Sequence, residues 1–488
     1  MSYIRSDGLG ITLKLTHYMK ISFHGAARTV TGSKHIIHLD NDRKILLDCG
    51  MFQGMGKETT ELNSNFGFVP AEIDHVVVSH AHVDHIGLLP KLVKDGYKGK
   101  IYCTPATASL AKLLLVDSAH IQEDDLKYVN KHRSKQHLPL YEPLYTEEDA
   151  INVFPLFETI PYNEHYKIET GIDLLFTDCG HILGSAAVNL KIKENGKEAG
   201  ITFSGDVGRY HDMILRSPQA FPQADYIILE STYGDRLHDL SVGTGDKLLT
   251  YILETCFKKR GKLIIPAFSL GRTQEILFML NRLELEHRLP DLDYYVDSPL
   301  SIKITDTVKK YPDYYNAGVQ HLLKCDEDIF GFKGLKYVDK VEDSIKLNDI
   351  EEPCVIISAS GMAEAGRVKH HIANNIGNGR NTILFTGYCE PLSLGGRLKK
   401  HPDSVKIFGK EFPVKAGIAE IATLSAHGDY NDLCQWLSCQ DARAVSKLFL
   451  VHGDYEAQEA FRNRLIKKGF RDVEIPMLHE EFNLKMCV

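Results

Sequence analysis

The sequence predicts a layered α/β fold in which one α/β domain is interrupted by a second. Three observations predict it. Short β-rich runs ending in polar clusters alternate with helical patterns over the first 214 residues. From about Asp225 the strands become continuous apolar runs, which suits a parallel sheet covered on both faces. After Gly387 the short-strand style returns.

The elements follow in order. The first 18 residues carry no motif and read as a leader or tag outside the fold, with the regular pattern starting at Met19. Strands are predicted at Lys44 to Leu47, Val76 to Val78, Leu174 to Phe176 and Ile201 to Phe203, and helices at Gly87 to Lys94 and Pro105 to Ile121. The apolar runs Tyr226 to Leu229, Leu263 to Pro266, Tyr294 to Val296, Val355 to Ile357 and Thr382 to Phe385 alternate with helices near Thr244–Lys258 and Arg272–Leu283. The predicted division is therefore residues 19–214, an insertion over 215–386, and a return over 387–488.

Composition bounds the function. At 488 residues with 43% hydrophobic and 25% charged side chains, the chain can bury a large core, and disorder or a disulfide miniprotein is excluded. No apolar run is long enough for a membrane helix, and Met1 to Gly10 lacks a signal-peptide core, so a cytoplasmic protein with no membrane partner is expected. The 10 cysteines are scattered without a C-x-x-C pair, which points to reduced, mostly buried thiols. A net charge of −8, from 57 basic and 65 acidic residues, does not advertise a nucleic-acid binder. The 23 histidines point instead to metal.

The histidines concentrate in Ser79-His80-Ala81-His82-Val83-Asp84-His85, directly after a predicted strand. Neutral imidazoles and a carboxylate suit zinc. Alternation puts His80 and His82 on one side of an extended turn, while Asp84 and His85 fall into the next turn, so one segment can feed two adjacent metals. Asp48, His181, Asp206 and His452 also stand at strand ends. Each alone is an ordinary turn or capping residue; as an ordered set they are further ligand candidates.

HAHVDH, then Gly180-His181-Ile182-Leu183-Gly184-Ser185-Ala186, then Ser204-Gly205-Asp206-Val207-Gly208 resemble the metallo-β-lactamase superfamily. The opening Gly25 to Ser33, Leu47 to Gly54, and Asp117 to Glu123 resemble its β-CASP branch of nucleic-acid nucleases, and the likeness runs from Met19 to about Leu478. The resemblance implies a metallo-β-lactamase αββα sandwich interrupted by an inserted β-CASP α/β domain with a largely parallel sheet. It implies two Zn2+ ions, with Mn2+ as a substitute: one on His80, His82 and His181, the second on Asp84, His85 and His452, with Asp206 bridging them. Asp48 would orient ligands through hydrogen bonds without touching metal. Asp84, Glu230 (in Leu229-Glu230-Ser231-Thr232-Tyr233-Gly234) and His427 (in Leu424-Ser425-Ala426-His427-Gly428-Asp429) would be catalytic, the Glu–His pair holding a proton for the leaving oxygen.

Within the insertion, the segments around Ser269 and Arg272, and around Ser360, Arg367, His370 and His371, resemble loops that bind an RNA backbone. Phe268, Tyr233 and Tyr388 are candidates to stack bases. The implied activity is hydrolysis of single-stranded RNA by hydroxide activated between two metals, leaving 5′-phosphate and 3′-hydroxyl ends, in endonuclease or 5′–3′ exonuclease mode. A homodimer is a candidate assembly. The competing readings are a DNA nuclease of the same superfamily and a catalytically silent RNA-binding scaffold. One departure stands out: Glu390-Pro391-Leu392-Ser393-Leu394-Gly395-Gly396-Arg397 replaces the glycine-rich turn usual in relatives, and so puts the rim of the cleft in question.

Overall fold

The computed structural model describes residues 19–39, 41–238, 243–421 and 424–486. The expected leader over 1–18 lies outside them. Two seven-stranded sheets pack face to face. The first has the order Glu481–Asn483, Lys20–Phe23, His35–His38, Lys44–Leu47, His75–Val77, Ile101–Cys103, Phe157–Thr159. The second runs Val473–Glu474, Lys447–Val451, Tyr226–Glu230, Lys197–Phe203, Ala186–Glu194, Ile172–Asp178, His165–Glu169. Period-two alternation explains the layering. Ile21, Phe23, Ile45 and Leu47 from one sheet meet Phe176, Val188, Phe203 and Ile228 from the other in a dry seam.

The outer faces are covered by helices. Leu89, Leu92, Leu110 and Leu115 come from helices over the first sheet. Trp436, Phe461 and Leu465 come from Tyr430–Trp436 and Tyr455–Lys467 over the second. This is the αββα sandwich. A third, six-stranded sheet has the order Leu335–Tyr337, Asp293–Val296, Cys354–Ser358, Leu263–Pro266, Thr382–Phe385, Gly417–Glu420 and is parallel throughout. Its four inner strands are buried runs such as Leu263-Ile264-Ile265-Pro266, as strands covered on both faces require.

Strand pairing corrects both internal domain borders. Tyr226–Glu230, expected in the insertion, pairs in parallel with Lys197–Phe203 on one side and Lys447–Val451 on the other. It is a central strand of the sandwich, and its five buried residues read like those of the inserted sheet because both environments bury both faces. At the other end, Gly417–Glu420 pairs with Thr382–Phe385, so the chain re-enters the sandwich after residue 420 and not at 387. A hairpin, Ser404–Ile407 with Lys410–Pro413, lies within that stretch.

Helix lengths also differ. The helix expected from Gly87 to Lys94 begins at Leu89, after a separate short helix at Val83–Ile86, and the helix from Pro105 continues to Lys135. The helix from Thr244 ends at Ile252 and widens into π-helical turns over Leu253–Lys258. Of the cysteines described, all but Cys325 and Cys439 are buried, and all are free thiols. Among the described residues, no helix is long and apolar enough to cross a membrane.

Candidate metal centre

Six strands of the sandwich deliver polar side chains to one edge. Asp48 follows Lys44–Leu47, and Ser79 and His80 follow His75–Val77. His181 follows Ile172–Asp178, Asp206 follows Lys197–Phe203, Glu230 ends its own strand, and His452 follows Lys447–Val451. The loops lock together through close backbone approach. A Cβ on Gly50 would lie 1.6 Å from the carbonyl oxygen of Asp84, and one on Gly205 would lie 2.5 Å from Cβ of Ser79. Asp48 and His452 themselves sit in the left-handed region, at φ of 58° and 49°. Such backbone costs about 1–2 kcal/mol at a non-glycine residue, and it aims both side chains inward.

Two clusters of ligand atoms result. Nδ1 of His82 lies 3.1 Å from Nε2 of His80 and 3.2 Å from Nε2 of His181. Oδ2 of Asp206 stands 3.4 Å from His80 and 3.5 Å from His181. In the second cluster, Nε2 of His85 is 3.3 Å from Nε2 of His452 and 3.3 Å from Oδ1 of Asp206, and Oδ2 of Asp84 is 3.5 Å from His452. A tetrahedron with ligands about 2.0–2.1 Å from its centre has edges of about 3.4 Å, so both sets have the spacing a metal such as zinc requires.

Hydrogen bonding alone does not explain the arrangement. A neutral imidazole has only one N–H, yet several ring nitrogens converge on each point. Buried Oδ1 of Asp206 has no hydrogen-bond partner among the described residues. The donor set therefore fits the metal that the sequence motifs imply. His80, His85, His181, Asp206 and His452 are buried, while His82, Asp84 and His427 are half-buried and mark the mouth.

Electrostatics points the same way. Burial holds His80 and His181 well below the ordinary imidazole value, and it brings His82 down to about 4. These rings are neutral and ready to ligate. Burial would also lower His85, but the carboxylates of Asp206 and Asp48 outweigh it and hold the ring well above its usual value. Burial would raise Asp84, yet His452 and His85 bring it down to about 2. Without metal, a proton on His85 stands in for part of the missing positive charge, and metal binding would release it.

The supporting groups are equally specific. Oδ2 of Asp48 lies 2.6 Å from Nδ1 of His85, which leaves Nε2 for the cluster. Its carboxylate also accepts from N and Oγ of Ser79, at 2.7 and 2.8 Å. Glu230 accepts from the amide of Val207 at 2.6 Å and lies 3.1 Å from Nδ1 of His427. Burial would lower His427, but Glu230 and Asp206 raise it to about 9. Thr232 donates to Glu230 at 2.6 Å and touches Nδ1 of His452 at 3.1 Å.

Ser79 and Thr232 were not singled out from the sequence. Their signal was adjacency alone: one precedes His80, and the other lies two residues beyond Glu230. His238, whose Nε2 lies 3.0 Å from the carbonyl oxygen of His427, carried no signal.

The structure brings all seven expected ligands together with Asp48, Glu230 and His427. The six residues expected to bind RNA phosphate do not form one set. Gly271 packs over Ile182, beside His181, so the loop carrying Ser269 and Arg272 borders the centre. Arg272 is buried with Nη1 on Glu275 at 2.6 Å, while its Nε has no hydrogen-bond partner. Arg367 and His371 are corrections. Arg367 donates through Nη1 to Asp297 and Val338, and through Nη2 to Asp339. His371 is fully buried, with Nε2 2.6 Å from Asp297 and Nδ1 3.1 Å from Asn348. Both side chains are held by Asp297 within the inserted domain. Ser360 is half-buried and tied to Ala365, and His370 is exposed and lies against Phe408.

The altered turn closes without the expected glycine pattern. Ser393 caps the helix Leu394–Leu398, and a Cβ on Gly396 would lie 2.1 Å from the carbonyl oxygen of Glu390. The Glu390 side chain reaches the Gly54 loop of the sandwich, so this rim bridges the two domains.

Three segments of the chain match known family models. Residues 36–226 match the metallo-beta-lactamase superfamily domain, 273–398 the Beta-Casp domain, and 411–476 the Zn-dependent metallo-hydrolase RNA specificity domain. The chain is 35% identical to Ribonuclease TTHA0252 of Thermus thermophilus over 92% of its own length and 97% of that protein's. It belongs to the β-CASP family of the metallo-β-lactamase superfamily. Other β-CASP relatives are an RNase J-like protein of Methanocaldococcus jannaschii, 29% identical over 89% of this chain and 92% of the relative, and Transcription termination factor FttA of Methanosarcina mazei, 28% identical over 92% of this chain and 69% of the relative.

Proposed function

We propose that this β-CASP protein is a zinc-dependent ribonuclease that hydrolyses phosphodiester bonds of single-stranded RNA. The observation that carries the reading is Asp206, whose two oxygens each belong to a separate ligand cluster, which supports two ions held side by side. His80, His82 and His181 would hold one zinc, and Asp84, His85 and His452 the other. The bound pair supplies Lewis acidity and an activated water for attack on phosphorus.

The chain's own groups do the rest. Asp48 fixes the ring orientation and tautomer of His85. Half-buried Asp84, held ionised, accepts a hydrogen bond from the attacking water at the mouth. Glu230 keeps a proton on Nδ1 of His427, which places an acid beside the departing 3′-oxygen. Arg272, with an unpartnered Nε at the inner wall, offers a donor to a phosphate oxygen. The products are a 5′-phosphate and a 3′-hydroxyl.

The test is an assay on matched 5′-labelled RNA and DNA oligonucleotides with zinc or manganese, with product ends mapped. RNA cleavage that is lost in His82→Ala and in EDTA is the expected result. Clear preference for DNA, or RNA binding without turnover under either metal, overturns it.

A further inference from the structure

The helix Pro105–Lys135 starts at the metal centre and ends far from it. Thr104 and Thr107 donate to the carbonyl oxygen of Gly184, in the loop of His181, at 2.7 and 2.8 Å. At about 1.5 Å per residue, residues 127–135 lie roughly 35–45 Å along its axis. There Lys127, Lys131 and Lys135 repeat four residues apart and form one exposed stripe. No aspartate or glutamate occurs between Leu126 and Tyr141, in a chain whose net charge is −8.

Neighbouring like charges at this spacing cost the helix about 0.2–0.5 kcal/mol per pair. Lys127 has Asp124 at 2.8 Å, but Lys131 and Lys135 have no ion-pair partner among the described residues. The helix dipole favours cations only in the last turn, so it does not account for Lys127 or Lys131.

The chain then folds back as a hook. Nε of Arg133 donates to the carbonyl oxygen of Pro139 at 2.6 Å, and its guanidinium stands 3.8 Å from the Tyr141 ring centroid. Asn130 and Tyr141 exchange two hydrogen bonds, at 2.8 and 2.9 Å. Tyr141 remains 54% exposed. Across the domain border, Lys369 acts electrostatically on Asp125 of the same helix and lies 5.2 Å from the ring centroid of exposed Phe408. The result is a line of ammonium groups flanked by aromatic rings backed by cations, which is the chemistry that grips phosphates and stacks bases.

We infer that Lys127, Lys131, Lys135 and Tyr141, together with Lys369 and Phe408, form an accessory surface that docks the single-stranded RNA extending away from the cleft. This rests on the ribonuclease reading for its ligand and extends it to a second contact region. RNA is favoured over an acidic protein because the lysine stripe comes with exposed rings.

The test measures affinity by fluorescence anisotropy for RNAs of about 6 and about 30 nucleotides. A stacked strand rising about 3.4 Å per nucleotide needs about ten nucleotides to reach the hook. In the triple variant Lys127→Glu/Lys131→Glu/Lys135→Glu, Kd for the longer RNA should rise on the order of tenfold or more. Its log–log salt dependence should become shallower by about 2, for three lost contacts on a single strand. Affinity and turnover for the short RNA should not change, and Tyr141→Ala should weaken only the longer RNA.

Unchanged Kd and salt slope for the longer RNA overturn the proposal and leave the stripe for an acidic protein. Equal weakening of both RNAs with a lower Tm overturns it in favour of a structural role. A wild-type protein that binds the longer RNA tightly but cleaves neither sinks the ribonuclease reading and leaves the docking surface standing.

Discussion

Two buried clusters of histidine and aspartate lie in this chain, one in the sandwich and one in the inserted domain, and they are built on opposite rules. In the inserted domain Asp297 is fully buried, and its Oδ1 receives Arg367 at 2.7 Å. Its Oδ2 takes Ser344 at 2.5 Å and His371 at 2.6 Å, while the other nitrogen of His371 meets Asn348. Each polar atom named there has a protein partner. In the sandwich, ring nitrogens from five histidines face one another at 3.1–3.3 Å or face Asp206, whose Oδ1 has no hydrogen bond. A closed network stabilises a fold, whereas an open one at ligand spacing waits for a cation. The difference lies in hydrogen-bond satisfaction, since a buried aspartate stands at the middle of each cluster.

Four experiments can break or sharpen that contrast. The largest effect is expected at Asp206. Asp206→Ala should lower kcat by about 10³-fold or more, because it removes a group shared by both clusters in a preorganised site. Metal content by mass spectrometry should fall with it. A variant that keeps its metal would break the comparison.

Asp297→Ala should do the reverse. It strands Arg367 and His371 and should cost about 3–5 kcal/mol in denaturant unfolding. Metal content per folded molecule should stay at the wild-type level, and loss of metal would show that the two clusters are not separate. A smaller effect is expected at the interface of metal and support. Asp48→Asn keeps an acceptor but removes the charge beside His85, so metal affinity should fall about 10–100-fold in a competition titration with a chelator.

The smallest effect is a pH dependence in the metal-free protein. His427 titrates near 9 when folded, against an ordinary value of about 6.5 when unfolded, because Glu230 and Asp206 outweigh burial. A raised pKa contributes stability that is fully present below pH 6.5 and is lost as pH rises through 9. Stability in EDTA should therefore decline across that window, and Glu230→Gln should flatten the decline. Identical slopes in the two proteins would remove Glu230 as the cause.

Much of the centre was legible in the sequence because its ligands sit at strand ends within short local patterns. HAHVDH needs only one turn to present four donors, and the glycines beside His181 and Asp206 mark loops that approach closely. Arg367 and His371 were misjudged because their helix start looks like a phosphate cradle, and only Asp297, 70 or more residues earlier in sequence, reveals that both side chains are engaged elsewhere. Tyr226–Glu230 was misplaced for a related reason. A run of buried apolar residues says that both faces are covered but not which strands lie alongside.

What the sequence determined by itself is the chemistry: which residues can hold metal, that they come as one ordered set, and that a parallel α/β unit interrupts another α/β domain. These depend on side-chain type and on periodicity over a few residues. What only the tertiary structure decided is allocation. The lone oxygen of Asp206, the closed network around Asp297, the strand exchange at both domain borders and the lysine stripe carried away from the centre all depend on contacts between distant segments. Hydrogen-bond satisfaction and strand pairing are properties of pairs, and no single stretch of chain contains both partners.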